Sequence, residues 1–318
     1  MSDAEIARAA DVLRAGGLVA FPTETVYGLG ADASSSDAVH RLFAVKGRPA
    51  DHPVIVHLGD AAMLDDWAVD IDDAARTLTR ACWPGPLTVV VRRAPHVPEA
   101  VTGGLDTVGV RVPDQPVALA LLRAFGGGVA APSANRFGHV SPTTAADVFA
   151  DLGDDVDVIL DGGPCRVGVE STIVDCSRPE PAILRLGGTP RERVEELLGR
   201  PVPLLDAGEV RAPGTLASHY APRADVEFAD LETLDAILEA ARERDERVGV
   251  IGADVGDDDP AVEVLGVPRD GDEYAHDLYR MLRDADVRGL DRVIAVLPDP
   301  AGLGAAVADR LRRAAGSR

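Results

Sequence analysis

Short apolar runs alternate with amphipathic stretches along the N-terminal two thirds of the chain. The apolar runs predict strands, and the stretches with helical spacing predict helices between several of them. A capping-box pattern at Ser2 begins a helix that ends at the Gly16-Gly17 pair, and Ser36 can cap a second helix that ends near Lys46. The predicted strands cover Leu18 to Phe21, Val54 to His57, Leu87 to Val91, Val108 to Val112, Val129 to Ala131, Val156 to Leu160, Thr172 to Asp175 and Ala182 to Leu184. This order predicts an α/β domain with a twisted, mixed sheet.

Residues 201 to 223 are rich in proline and glycine, and we interpret them as a linker or lid. Beyond them, four more apolar runs alternate with helical patterns. This β-α-β rhythm predicts a smaller domain built on a parallel sheet. We therefore expect a first domain over residues 1–203, a linker or lid over 204–223 and a second domain over 224–318.

The formal net charge of the chain is −21, and most of it comes from 37 aspartates. This balance offers no broad basic patch, so it argues against strong direct binding to nucleic acid. The N-terminus lacks the basic and apolar regions of a signal peptide, and no apolar run approaches the roughly 20 residues of a membrane span. The three cysteines show no CxxC pairing and are expected to be free thiols in a reducing cytosol. These patterns predict a cytoplasmic protein without a membrane partner.

Lys46 is the only lysine in the chain, against 31 arginines, and it lies in the run Lys46-Gly47-Arg48-Pro49. Lysine is a compact point charge, whereas arginine is a planar fork, so the two are not interchangeable beside phosphate oxygens. Lys46 and Arg48 at a helix end could bind a triphosphate. The GxxxxGK[ST] spacing of a Walker A loop is absent.

Small and polar residues follow several of the predicted strands, where ligands bind in α/β sheets. The segments are Phe21 to Gly30, Ala131 to Asn135, Gly168 to Asp175 and Ile183 to Arg185. His57 could be a ligand or a core histidine, and Ser141 before Pro142 could bind a ligand or cap a helix. No hydrolytic triad or metal cluster is present in the sequence. Cations, hydroxyls and exposed backbone suit phosphates and a small zwitterion.

Eight motifs, in order along the whole chain, resemble the threonylcarbamoyl-AMP synthase family in its two-domain form. They are F-P-T-E-T-V-Y-G-L-G from Phe21, K-G-R-P from Lys46, W-P-G-P-L-T from Trp83, G-L-D-T-V-G-V-R from Gly104, A-P-S-A-N from Ala131, G-V-E-S-T from Gly168, S-H-Y-A-P from Ser218 and G-L-G-A-A-V-A-D-R from Gly302. The resemblance implies a YrdC-like catalytic domain followed by a Rossmann-like domain.

The resemblance also implies an activity. Family members join L-threonine, bicarbonate or CO2 and ATP, with Mg2+ on the phosphates, into threonylcarbamoyl-adenylate and pyrophosphate, and a second enzyme transfers the threonylcarbamoyl group to tRNA. Lys46 and Arg48 would then be catalytic. The implied threonine-binding residues are Thr23, His57, Arg111, Ala131 and Ser171. The implied ATP-binding residues are Lys46, Arg48, Thr107, Ser133, Asn135, Ser141, Arg185, His219 and Tyr220.

Two other functions remain open at this point. A carbamoyl-adenylate-forming enzyme that uses carbamoyl phosphate would share the domain type. A tRNA-binding module could use a concave face of the same domain, although the charge of −21 argues against it.

Overall fold

The computed structural model describes residues 1–205, 220–256 and 261–316. These residues form two compact units. The first contains residues 1–137 and 141–205, and the second contains residues 220–256 and 261–316 together with 138–140. In the part of the chain that is described, no helix has both the length and the apolar character needed to span a membrane.

The helices and strands of the first unit follow the alternation of its apolar runs. Its strands are β1 Val19–Phe21, β2 Gly28–Asp32, β3 Ile55–His57, β4 Ala68–Val69, β5 Leu87–Arg93, β6 Thr107–Arg111, β7 Val129–Ala130, β8 Val158–Ile159, β9 Thr172–Asp175 and β10 Ala182–Arg185. Its α-helices are α1 Asp3–Arg14, α2 Ser36–Lys46, α3 Leu64–Trp67, α4 Asp73–Cys82, α5 Glu99–Thr102, α6 Pro116–Phe125, α7 Ala145–Leu152 and α8 Arg191–Leu198.

The strands of the first unit form one mixed sheet, in the order β10-β9-β5-β6-β3-β7-β2-β1-β8, with β4 paired to β5. The pairs β3–β6, β5–β9 and β1–β8 are parallel, and the other neighbours are antiparallel. The prediction of an α/β fold with a mixed sheet is therefore confirmed.

The two faces of this sheet differ in character because side chains alternate along a strand. Leu87, Val89 and Val91 of β5 and Val110 of β6 enter the main hydrophobic core on one face. On the other face, helices α1 and α6 contribute to an apolar cluster with Phe21 at the β1 end of the sheet. Polar residues lie on that second face in β3, β5, β6, β9 and β10. We therefore expect a ligand-binding site on this face.

Two local predictions need correction. Gly28–Asp32 is a strand, β2, whereas the sequence predicted no strand between Phe21 and Val54. Helix α7 begins after Thr144, whose side chain forms the capping box, so Ser141 is not a helix cap. The Leu205 N–H donates to the Ile183 carbonyl at 2.9 Å and joins this residue to β10, while the predicted bounds of the linker stay a prediction.

The second unit is built on four parallel strands, which confirms the predicted parallel-sheet domain. The strands are β11 Asp225–Ala229, β12 Val248–Ile251, β13 Val262–Gly266 and β14 Arg292–Val296, in the order β11-β14-β12-β13. The helices are α9 Leu234–Arg242, α10 Gly271–Arg288 and α11 Gly304–Ala315.

Tyr220 is packed inside this second unit. Its ring stacks on Tyr279 at a centroid separation of 5.7 Å, and the guanidinium of Arg310 lies 5.1 Å from the ring centroid. Its φ of 66° is in the left-handed region, which is unfavourable for a bulky side chain and persists only where packing holds it.

Candidate active site

Most of the predicted site residues of the first unit are buried polar side chains, and several meet on the second face of the sheet. His57 ends β3 and Arg111 ends β6, and the two are register partners in this parallel pair. Thr88 of β5 and Arg185 of β10 lie further along the same face. Burying so many polar groups is unfavourable unless they are paired or serve a ligand, which marks this face as a candidate site.

Arg111 forms an ion pair that the sequence did not predict. One of its terminal nitrogens lies 2.8 Å from a carboxylate oxygen of Glu24, and the two side chains are 4% and 1% exposed. The Nε of Arg111 also donates to the Gly85 carbonyl at 3.2 Å. Glu24 lies within the P-T-E-T run, and its position between two threonines was the only signal of its role in the sequence.

Thr23 organises the turn that presents Glu24. Its hydroxyl donates to the Val26 carbonyl at 2.6 Å and contacts the Thr25 hydroxyl at 2.8 Å. The Val167 N–H donates to the Glu24 carbonyl at 2.7 Å and ties this turn to the loop before β9. The turn is therefore held by backbone and hydroxyl bonds, which leaves the Glu24 carboxylate for Arg111.

His57 is buried, and its Nδ1 atom has no hydrogen-bond partner among the described residues. Burial and the positive charge of Arg111 lower the pKa of His57 to about 3. The imidazole is therefore neutral at pH 7. A neutral ring can accept or donate a hydrogen bond to a ligand without repelling Arg111.

The pKa of His57 predicts a pH-dependent stability. Between pH 6.5 and about 3 the unfolded chain binds a proton at this position and the folded chain does not. Stability should therefore fall as the pH falls through this window, and His57 should contribute about 1.4 kcal/mol per pH unit to the free energy of unfolding. Urea unfolding, followed by the fluorescence of Trp67 and Trp83 down to about pH 5, should depend less on pH in His57→Asn than in the wild type.

The exposed His40 provides the matched control, because His40→Asn should keep the wild-type slope. Equal slopes in all three proteins would contradict the assignment of a neutral, buried His57.

Lys46 is the last residue of α2, and its side chain is 3% exposed. Its ammonium donates to the carbonyls of Ser133 and Asn135, each at 2.5 Å. Burial and the nearby Arg48 hold the pKa of Lys46 well below its usual range. The structure thus brings the K-G-R-P segment and the A-P-S-A-N segment together, as expected if both bind one ligand.

The A-P-S-A-N segment follows β7 and is held by backbone hydrogen bonds to β2 and the turn before it. The Leu29 N–H donates to the Pro132 carbonyl and the Ala134 N–H donates to the Tyr27 carbonyl, both at 2.8 Å. Ala131 is buried at its start, and its N–H donates to the Ile55 carbonyl at 2.9 Å. This fixed backbone presents the carbonyls that Lys46 contacts.

Arg48 and Ser141 are also buried. Arg48 donates to the Pro53 carbonyl at 2.9 Å. The Ser141 hydroxyl donates to a carboxylate oxygen of Glu170 at 2.7 Å. Glu170, the acidic residue of the G-V-E-S-T run, is a second buried carboxylate that the sequence did not single out.

Ser171 connects three strands on the second sheet face. Its hydroxyl lies 2.8 Å from the Thr88 hydroxyl of β5 and accepts from Arg185 of β10 at 3.1 Å. Arg185 also donates twice to the Ser171 carbonyl, at 3.1 and 2.9 Å. Ser171, expected near threonine, and Arg185, expected near ATP, are therefore in direct contact.

Three predicted residues lie apart from these contacts or cannot be placed. Thr107 begins β6 whereas Arg111 ends it, and the four steps along the strand separate their Cα atoms by about 14 Å. Tyr220 belongs to the second unit, as described above. His219 lies outside the described residues, so its contact with ATP stays a prediction.

Within residues 1–205, 220–256 and 261–316, no group of three or more His, Cys, Asp or Glu side chains could hold a metal ion. Glu24 is paired with Arg111, and Glu170 accepts from Ser141. Cations, hydroxyls and backbone groups remain, and these define a protein that binds small anionic molecules on an α/β sheet.

The comparisons with known proteins name the family. A family model described as "Telomere recombination" matches residues 11–187, and one described as "Threonylcarbamoyl-AMP synthase, C-terminal domain" matches residues 189–316. The threonylcarbamoyl-AMP synthase of Pyrococcus abyssi is 42% identical over 98% of this chain and 94% of its own length. That of Bacillus subtilis is 41% identical over 100% of this chain and 94% of its own length. The chain belongs to the threonylcarbamoyl-AMP synthase family.

The solved structures agree with this assignment. Pyrococcus abyssi Sua5 in complex with L-threonine superposes with a TM-score of 0.93 and 41% identity, covering 100% of this chain and 96% of that one. A second structure of the same protein, with a histidine and the tyrosine after it replaced by alanine, gives a TM-score of 0.91.

Proposed function

We propose that this protein is an L-threonylcarbamoyladenylate synthase, which makes threonylcarbamoyl-AMP and pyrophosphate from L-threonine, bicarbonate or CO2, and ATP. The observation that carries the proposal is the likeness, over the whole chain, to a relative whose structure contains L-threonine. The buried cations and hydroxyls of the first unit supply the chemistry that these substrates need.

Threonine is assigned to the end of strands β3 and β6. Arg111 would bind its carboxylate, because the fork of a guanidinium matches the two carboxylate oxygens. Glu24 holds that guanidinium in place through their ion pair. Neutral His57 and the hydroxyls of Thr23 and Ser171 would bind the amine and the side-chain hydroxyl. Ala131, a small buried residue, would leave room beside them.

ATP is assigned to the two segments that Lys46 joins. Lys46 and Arg48 would neutralise the triphosphate, and Arg185 would add charge from β10. The polar groups of Ser133, Asn135 and Ser141 would bind the nucleoside or its phosphates. The proposed set of ATP-binding residues also includes Thr107, His219 and Tyr220. Mg2+ enters as part of the substrate, on the phosphate oxygens of ATP.

The chemistry needs positioning more than covalent participation by the protein. The neutral amine of threonine attacks the carbon of CO2, and the nitrogen releases one proton to water as the carbamate forms. A carbamate oxygen then attacks the α-phosphorus of ATP, and the bond to the bridging oxygen of pyrophosphate breaks. Lys46 would stabilise the charge that builds on the leaving pyrophosphate, which makes Lys46 and Arg48 the proposed catalytic residues.

The product is a mixed anhydride, which water would hydrolyse. A transferase that moves the threonylcarbamoyl group to an adenosine of tRNA must therefore consume it soon after release. We assign this protein to the cytoplasm, where tRNA, ATP and threonine are available, and we expect no strong binding of nucleic acid by the synthase itself.

The proposal predicts that pyrophosphate release from ATP requires L-threonine and bicarbonate together. The assay measures pyrophosphate with each component omitted in turn, and the adenylate is identified by mass. Release that is indifferent to threonine would contradict the proposal. Release supported by carbamoyl phosphate in place of both would indicate the carbamoyl-adenylate reaction, and tRNA binding without ATP chemistry would indicate an RNA-binding module.

A further inference from the structure

Gly109 lies in the middle of β6, where the neighbouring atoms leave room for a larger residue. A Cβ built at this position would lie 3.5 Å from Cγ2 of Thr88, 3.6 Å from Cγ1 of Ile55 and 3.9 Å from Cγ2 of Val90, all ordinary van der Waals distances. Its φ is not in the left-handed region. Glycine weakens a strand interior, so its presence here needs another reason.

The other glycines in the described strands differ from Gly109 in this respect. At each of them a Cβ would come closer to a neighbouring heavy atom than the protein normally allows. The nearest approaches are 3.3 Å at Gly28, 2.8 Å at Gly30, 2.6 Å at Gly249 and 2.5 Å at Gly266. Packing explains those four glycines and leaves Gly109 unexplained.

Gly109 lies on the sheet face that carries the proposed threonine site. Arg111, two residues further along β6, points to the same face, while Val108 and Val110 enter the core on the other. Because Gly109 has no side chain, its Cβ position is unoccupied, and the nearest atoms around it are aliphatic carbons of Ile55 and Val90 and the methyl of Thr88. The Thr88 hydroxyl, 2.8 Å from that of Ser171, supplies a polar group beside these carbons.

We propose that Gly109 forms the floor of a subsite for the side chain of the amino-acid substrate and determines its specificity. The methyl group of threonine would lie over Gly109 against Ile55, and its hydroxyl would bond to the Thr88–Ser171 hydroxyl pair. The subsite would separate threonine from serine by the methyl and from valine by the hydroxyl. This inference rests on the proposed function, because it names the specificity determinant of that site.

Gly109→Ala provides the test, because its Cβ would occupy the space assigned to the substrate methyl. We expect kcat/KM for L-threonine to fall by about 10-fold or more, since one methylene changes such a ratio by roughly 10- to 200-fold. Pyrophosphate release with L-serine should fall less, so the preference for threonine over serine should shrink. The KM for ATP should not change, and the Tm should be equal or higher, because alanine fits the strand without a clash.

A purely structural role for Gly109 would give the opposite pattern. An unchanged threonine-to-serine ratio, or a lower Tm with both substrates affected equally, would overturn the inference. A wild-type protein that makes no adenylate from threonine would instead contradict the proposed function, and the two failures are therefore distinguishable.

Thr88→Val supplies an independent test that does not rely on Gly109. It keeps the shape of the side chain and removes the hydroxyl next to Ser171. We expect the preference for threonine over valine to shrink, measured by the same assay and by calorimetry of amino-acid binding. An unchanged preference in Thr88→Val would overturn the assignment of the hydroxyl pair, whether or not Gly109→Ala folds.

Discussion

Replacement of Lys46 by alanine should lower the rate of pyrophosphate release by about 100-fold or more. The ammonium lies between the carbonyls of Ser133 and Asn135, where the two proposed ATP-binding segments meet. Removing it takes away a positive charge from the place where negative charge builds as pyrophosphate leaves. Initial rates at saturating threonine and bicarbonate, with ATP varied, separate the effect on kcat from the effect on KM.

Two further variants separate charge from shape. Lys46→Met keeps the aliphatic stem in its buried position and should lose as much activity as Lys46→Ala, because both remove the positive charge that the proposal requires. Lys46→Arg keeps the charge and should also lose most activity, because a planar guanidinium does not fit where the ammonium has two carbonyls at 2.5 Å.

Arg136 provides the matched control for Lys46. It is a cation of the same region, donates to the Val45 carbonyl and pairs with Asp155, and it is 38% exposed. Arg136→Ala should retain nearly wild-type turnover. Wild-type activity in Lys46→Met would show instead that Lys46 only supports the loop.

Strands and helices with strong local patterns could be predicted from the sequence, and elements that depend on tertiary packing could not. β9 has the predicted bounds because it is a short apolar run between turn residues. β2 was missed because Gly28 and Gly30 lower its strand propensity, and close packing against Phe21 and Val129 requires those glycines. Thr144 replaces Ser141 as the helix cap because its N3 residue, Asp147, completes a capping box.

The site could be predicted as a set of motifs but not as a set of contacts. Local runs marked Lys46 and Ser171, because unusual composition and small polar residues stand out in a sequence, whereas Arg111 was indicated only by the family resemblance. The pairing of Glu24 with Arg111 joins residues far apart in the chain, and only the sheet brings them together. The same holds for Thr88 and Ser171, which become neighbours because β5 and β9 are parallel partners.

Replacement of Glu24 by alanine should lower the free energy of unfolding by about 3–5 kcal/mol. The pair with Arg111 is almost completely buried, so losing the carboxylate leaves a buried guanidinium without its counter-charge. Urea unfolding of the first unit, followed by the fluorescence of Trp67 and Trp83, measures the change. The KM for threonine should rise as well, because Glu24 orients the guanidinium that is assigned to the substrate carboxylate.

The exposed pair of Arg92 and Asp106 gives the matched control, because it also joins an arginine of the sheet to a carboxylate. Its atoms are 3.3 Å apart, but the side chains are 52% and 74% exposed, so Asp106→Ala should cost no more than about 1 kcal/mol. Combining Glu24→Ala with Arg111→Met should recover part of the stability lost in Glu24→Ala, because the uncompensated charge is gone. Threonine use should be lost in this double variant, because the guanidinium assigned to the substrate carboxylate is gone too. Equal costs for Glu24→Ala and Asp106→Ala would contradict a buried pair at the centre of this site.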